Sequence, residues 1–317
     1  MAAFSEKKHK VLTAGGGTEI ILKEFVYKAD KPGQTLYVQS GLHGGETSQW
    51  CLHRLHGFLL EHLTCGEVHV VPYANPLAWM QRVYFSTFGK FSQIDGKDFN
   101  RCFPGNPDGD VSARLCAAIM KLATAADFVL DLHTSKSSNP FVIYTQKEYE
   151  PWVAACGLPY NQYSDDASIP GLQGTFNAAL DRAGVKNLTI ECGGHNEYAE
   201  AKIDAVFNAV CAVLNKLGLT EKGANTDIPA EIYRFEKRRK VFAAAGGLFR
   251  AEKALGAQVA RGEVIGHIFD AGNPAVLSAV TAPADGILQI LCAGHIVWEG
   301  DVVAEIVPAE DLKRIVS

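Results

Sequence analysis

The chain has 317 residues, 47% of them hydrophobic and 21% charged, a globular balance that rules out a disordered or fibrous protein and is long enough for one main domain and a smaller second one. Lys and Arg number 30 against 35 Asp and Glu, a formal net charge of −5, which argues against nucleic acid as a partner because such proteins carry a basic excess or stripe. No apolar run reaches the roughly 20 residues of a membrane span, and residues 1–10 are polar where a secretory leader would be apolar, so the expectation is a cytoplasmic protein without a membrane partner.

In chain order, residues 35–40 (TLYVQS) read as a buried strand ended by Gly41. A helix is expected from about Glu46 through Trp50, Leu52, Leu55 and Leu59, which are apolar at helical spacing. Residues 67–73 (EVHVVPY) form a second strand. Residues 74–110 are rich in Gly, Pro, Asn and Asp, and a loop of that length in a compact domain is usually functional. Beyond it the pattern predicts a helix over 111–122, strands over 127–132, 141–145 and 187–191, and helices over 175–183 and 199–217. Apolar strands alternating with amphipathic helices indicate an α/β sandwich on a mostly parallel, buried sheet.

The texture changes after Gly218. Residues 220–227 read as a polar linker, which divides the chain into an α/β domain over 1–219 and an all-β domain over 228–317. The basic run Lys237, Arg238, Arg239 and Lys240 reads as a solvated edge. A weak repeat follows: residues 259–268 and 297–306 share the pattern V-x-x-G-acidic-V-aliphatic-x-x-I. Each copy reads as strand, turn, strand, so two related hairpins packed face to face are expected. With Ala282-Pro283-Ala284-Asp285-Gly286, the repeat resembles the biotinyl/lipoyl-type barrel-sandwich. Such a carrier presents its Lys between the two halves, and no Lys lies between residues 270 and 282. The eight scattered cysteines form no CxxC pair and read as small buried hydrophobes in a reducing compartment.

The chemistry concentrates at strand ends. His43-Gly44-Gly45-Glu46 directly follows the strand 35–40. An imidazole and a carboxylate three residues apart on a glycine turn can meet one metal ion, and zinc favours such N/O donors with a third from elsewhere. His133, at the end of strand 127–132, is the best third ligand, because open α/β sheets place their sites at carboxyl ends of strands. Asp131 is placed to orient an imidazole. Glu191 ends the strand 187–191 and reads as the general base for a metal-activated water. His195, just beyond, is a further candidate. Asn100 and Arg101 offer an amide and a planar guanidinium suited to a substrate carboxylate. Arg82, in the same loop, is a candidate to stabilise the charge of a tetrahedral intermediate.

Together these residues resemble the succinylglutamate desuccinylase/aspartoacylase family, a branch of the zinc carboxypeptidase-like fold. The resemblance rests on the H-x-x-E of His43 and Glu46, the Asn75-Pro76 pair and the D-x-N-R-x-F-P-G at residues 98–105. It also includes His133, the T-x-E of Thr189 and Glu191, and a β-rich C-terminal domain. It implies a zinc-carboxypeptidase-like α/β/α sandwich with a C-terminal barrel-sandwich-like domain. It further implies one zinc ion on His43, Glu46 and His133, water activation by Glu191, a substrate carboxylate on Asn100 and Arg101, and a carbonyl polarised by Arg82. The expected activity is removal of the acyl group from an N-acyl amino acid or related small amine. A metallocarboxypeptidase and a non-catalytic binding protein on the same fold are the alternatives, and homo-oligomerisation is left open.

Overall fold

The computed structural model describes residues 1–135, 137–166, 168–221, 231–292 and 295–315. Most of the expected linker, residues 222–227, and the expected domain start at 228 lie outside the described residues.

A ten-stranded sheet organises the molecule, in the order Ala3–Thr13, Glu19–Lys28, Cys65–Val71, Lys31–Ser40, Phe128–Ser135, Lys186–Gly194, Phe141–Tyr144, Tyr160–Tyr163, Ile232–Phe235 and Lys313–Ile315. Its four middle strands, from Cys65–Val71 to Lys186–Gly194, run parallel. They read as apolar runs because helices cover both faces. On one face, Cys51, Leu52, Leu55 and Leu59 of the helix Gln49–His62 pack with Val206, Val210 and Leu214 of the helix Glu200–Lys216. On the other, Leu115 and Ile119 of the helix Val111–Ala123 join Phe176, Leu180 and the loop aromatics Phe99 and Phe103. Each fully buried Leu or Phe contributes about 1.5–3 kcal/mol of transfer free energy. The layers are therefore α/β/α, as the periodicity indicates.

The sheet is more mixed than the sequence pattern suggests. The first two strands form an antiparallel hairpin on its edge. The outer one is almost wholly exposed and carries Lys7, Lys8 and Lys10, charges that discourage edge-to-edge pairing. An exposed strand has no apolar face to reveal it. At the other edge, Ile232–Phe235 and Lys313–Ile315 pair with each other and extend the sheet from the C-terminal part of the chain.

The rest of that part folds into two four-stranded sheets around a separate core of Val241, Phe249, Ile265, Ile268, Leu288, Val303 and Ile306. The repeat is present, but its copies are not hairpins. Gln258–Val259 lies in one sheet and Val264–Phe269 in the other. Ile296–Val297 and Val302–Pro308 are divided the same way with the sheets exchanged. The shared element is the corner. Gly262 and Gly300 have φ of +82° and +89°. The following Glu263 and Asp301 accept from the backbone N–H of Ala260 and Trp298, both at 2.8 Å. A period-two pattern cannot tell a strand that turns back on its neighbour from one that crosses to the facing sheet.

Candidate metal centre and cleft

His43 and Glu46 sit in the turn between strand Lys31–Ser40 and helix Gln49–His62. The helix thus starts three residues later than the apolar spacing implies. Gly45 has φ +79°, outside the helical region, and residues 46–48 still belong to the turn. A Cβ on Gly44 would stand 2.5 Å from Thr87 Oγ1 and 2.9 Å from the Ala78 carbonyl oxygen. In this tight turn Glu46 folds back on His43. Its Oε2 accepts from the His43 backbone N–H at 3.1 Å, and its Oε1 lies 2.9 Å from His43 Nδ1. His133, on strand Phe128–Ser135, brings its own Nδ1 to 2.8 Å from the same Oε1. One ligand atom from each of the three residues falls within 4.8 Å of the others, and all three side chains are buried.

This donor set fits a divalent ion such as zinc. The far nitrogen of each imidazole is also held. His133 Nε2 lies 2.6 Å from Asp131 Oδ2, and His43 Nε2 lies 3.4 Å from Asp98 Oδ1. Gln39 Nε2 donates to Asp131 Oδ1 at 2.8 Å, and Tyr37 donates to Gln39 Oε1 at 3.1 Å. Carboxylates behind ligating imidazoles fix the ring and raise its basicity. Burial alone would push both imidazoles down in pKa. Glu46 and Asp98 together outweigh it at His43, as Asp131 and Glu46 do at His133, so both are held above the ordinary histidine range. Burial likewise opposes ionisation of Glu46, but His133 and His43 prevail and hold it below the usual carboxylate range. A field that retains protons on two nitrogens equally attracts a dication, which competes for the same lone pairs.

Glu191 lies on the neighbouring strand, directly opposite His133 in the parallel register. Its Oε2 is buried and has no hydrogen-bond partner among the described residues. Burial lifts its carboxyl above the usual range, a shift that His133 opposes and Glu46 reinforces. His43, His133 and Glu191 share the wall of a cleft of about 490 Å³ with Asn100, Arg101 and His195. Asn100 and Arg101 lie in the 3-10 turn Phe99–Arg101. Asn100 Oδ1 accepts from the Phe176 backbone N–H at 2.8 Å, and Arg101 Nη1 donates to the Asn100 carbonyl at 2.7 Å. His195 Nδ1 lies 2.6 Å from Thr134 Oγ1, and burial holds its pKa low.

The structure does not bring Arg82 to this cleft. It pairs with Thr87 across a short hairpin and its side chain is exposed. The cations that line the cleft are Lys90, Arg101 and Arg238. Arg238 departs from the reading of its basic run as a solvated edge. Lys237, Arg239 and Lys240 are exposed, and Arg238 alone turns inward. Nothing in four consecutive cations distinguishes the one that a sheet edge carries over a cleft. The carboxylate behind His43 was legible only as the first residue of the 98–105 motif.

The model of the succinylglutamate desuccinylase/aspartoacylase catalytic domain matches residues 32–217. The N-alpha-acetyl-L-2,4-diaminobutyric acid deacetylase of Halomonas elongata is 26% identical over 290 residues, covering 86% of this chain and 82% of that protein. A succinylglutamate desuccinylase/aspartoacylase structure from Rhodobacter sphaeroides superposes with a TM-score of 0.78 at 22% identity, over 99% of this chain and 95% of the other. The product-bound structure of the ectoine utilization protein EutE (DoeB) from Ruegeria pomeroyi does so with a TM-score of 0.79 at 21% identity, over 97% and 95%. No helix among the described residues is long and apolar enough to cross a membrane.

Proposed function

Because the chain belongs to the succinylglutamate desuccinylase/aspartoacylase family, we propose that it is a zinc-dependent hydrolase that removes the acyl group from the amide nitrogen of an N-acyl amino acid or related small amine. His43, Glu46 and His133 would hold one zinc ion per chain. Bound there, the ion would supply a Lewis acid for the amide carbonyl and lower the pKa of water. Glu191 Oε2, buried and without a partner among the described residues, accepts the proton of the attacking water and returns it to the leaving amine nitrogen. Asn100 and Arg101 orient the substrate through a carboxylate. The positive charge that faces the developing oxyanion would come from the bound ion and from Lys90 of the cleft rather than from Arg82, whose side chain is exposed. The Halomonas relative is named as the deacetylase of an α-acetylated diamino acid, which supports the acyl-amino-acid class.

The observation that carries this reading is the convergence of two imidazole Nδ1 atoms on one Glu46 oxygen, beside the free Glu191 Oε2. The test is metal analysis of the purified protein with assays on N-acetyl, N-formyl and N-succinyl amino acids, after chelation and after zinc is restored. Amine release that follows zinc, and the loss of both zinc and activity in His43→Ala, are the expected results. Full zinc content and activity in that variant would overturn the assignment. Cleavage of longer peptides from the C-terminus would replace the deacylase with a carboxypeptidase.

A further inference from the structure

We propose that Arg238 binds an anionic group of the substrate, a carboxylate of the acyl amino acid, at the flank of the cleft nearest Glu191; the inference rests on the deacylase reading and adds to Arg101 a second cation that reads the substrate's charge.

Arg238 follows the strand Ile232–Phe235, near the edge of the large sheet. Its guanidinium is fixed on two sides. The central carbon lies 5.7 Å from the centroid of the Phe141 ring, and Nε is 3.2 Å from Glu305 Oε2. Glu305 is itself buried, on the strand Val302–Pro308 of the C-terminal sheets. Phe141 is the antiparallel register partner of Glu191. The ring therefore carries the guanidinium to the strand next to the Glu191 strand. The third feature is Nη1, which is buried and has no hydrogen-bond acceptor among the described residues. Leaving such a donor unmade costs about 1–3 kcal/mol, and more when it is charged. Native structures rarely accept that cost unless a ligand or water supplies the acceptor.

The comparison with the cleft's other cations sharpens this. Lys90 Nζ lies 3.2 Å from Asp98 Oδ2, and Arg101 Nη1 lies 3.8 Å from the same oxygen. Asp98 in turn faces His43. Each of the three cations has one carboxylate partner, and Lys90 and Arg101 stand on the His43 side of the centre. Arg238 stands on the Glu191 side with a free N–H, although its field reaches Glu191. A planar, preoriented guanidinium with an unpartnered donor matches a carboxylate better than it matches a neutral amide or an ammonium.

The test compares wild type with Arg238→Met and Arg238→Lys on the N-acyl amino acid turned over fastest and on its primary carboxamide. Wild type is expected to prefer the acid by at least about thirtyfold in kcat/KM, since sites built to bond a polar group reject the analogue that lacks it. Arg238→Met should raise KM for the acid by about tenfold or more and leave the carboxamide within about twofold. Arg238→Lys keeps a charge without the fork, so it should fall between, and it carries the test if the Met variant does not fold. A parallel loss on both substrates, or no preference for the acid in wild type, would overturn the proposal and leave Arg238 a structural residue or a contact of bound water. If wild type hydrolyses no acyl substrate, the deacylase reading fails separately. Calorimetric titration with N-acetyl-L-2,4-diaminobutyrate and its carboxamide then judges Arg238 alone: tighter binding of the acid that Arg238→Met abolishes supports it, and equal binding of both ligands by wild type refutes it.

Discussion

Asp131 and His133, two positions apart on one strand, meet at 2.6 Å through Oδ2 and Nε2. Side chains at i and i+2 share a face of a strand, so the backbone alone brings the carboxylate behind the imidazole. The contact leaves Nδ1 of His133 aimed at Glu46. Asp131→Asn preserves the shape and removes the charge. The expected result is a 10–100-fold weaker affinity for zinc, read by competition with a chelator of known affinity, with little change in thermal unfolding of the chelated protein. Unchanged zinc affinity would show that the pair merely fills the core.

Much of the centre was legible because its residues are tied to strand ends. His43, His133 and Glu191 each follow an apolar run, and a parallel sheet aligns those ends whatever their distance in sequence. The Asp131–His133 pair was legible from period two. The start of the first helix was not, because apolar spacing from Trp50 to Leu59 does not mark where residues 46–48, still part of the turn, give way to the helix at Gln49. Arg82 and Arg238 misled for a common reason. A side chain's direction in an irregular segment depends on contacts that the residue pattern does not show, here the hairpin pairing with Thr87 and the Glu305 ion pair. The crossing of the repeat between two sheets was hidden because both topologies give the same alternation.

The exposed position of Arg82 gives a sharp expectation. Arg82→Ala should leave kcat and KM for the best acyl substrate within about twofold, as for a surface substitution away from the chemistry. A loss of 100-fold in kcat, of the size caused by removing an oxyanion donor, would show that the hairpin closes over the bound substrate and carries Arg82 in.

Gly44 is fixed by steric space rather than by backbone conformation. Its neighbours on the missing Cβ side are Thr87 Oγ1 at 2.5 Å, Thr87 Cβ at 2.8 Å and the Ala78 carbonyl oxygen at 2.9 Å. Gly44→Ala should therefore displace the turn that presents His43 and Glu46, costing about 1–3 kcal/mol of stability, the usual range for overpacking, and weakening zinc binding. Adding Thr87→Ala removes the hydroxyl contact and should restore part of both, but not all, because the Cβ of residue 87 and the carbonyl stay. Thermal unfolding and metal content of the single and double variants check this. No change in Gly44→Ala would mean that the hairpin yields freely.

Towards the edge of the large sheet, Glu24 joins His9 and His69 across three adjacent strands, with Oε2 at 2.8 Å from His9 Nε2 and Oε1 at 2.5 Å from His69 Nδ1. Burial would raise the Glu24 carboxyl, but the hydrogen bonds from His69 and His9 outweigh it and hold its pKa at about 2 against an ordinary 4.5. At His69, burial pulls the imidazole down and its bonds to Glu24 and Glu67 prevail, holding it above the ordinary 6.5. The signs differ. A depressed carboxylate contributes stability that is present above pH 4.5 and lost as the pH falls towards 2. A raised imidazole contributes stability that is complete below pH 6.5 and lost as the pH climbs through its higher folded value. Both contributions coincide between about pH 5 and 6. Glu24→Gln should therefore cost the most there, about 1–2 kcal/mol in urea unfolding, with the gap to wild type narrowing towards pH 3 and again towards pH 9. A gap that stays constant from pH 3 to 9 would assign the loss to packing and remove the ionic role of this cluster.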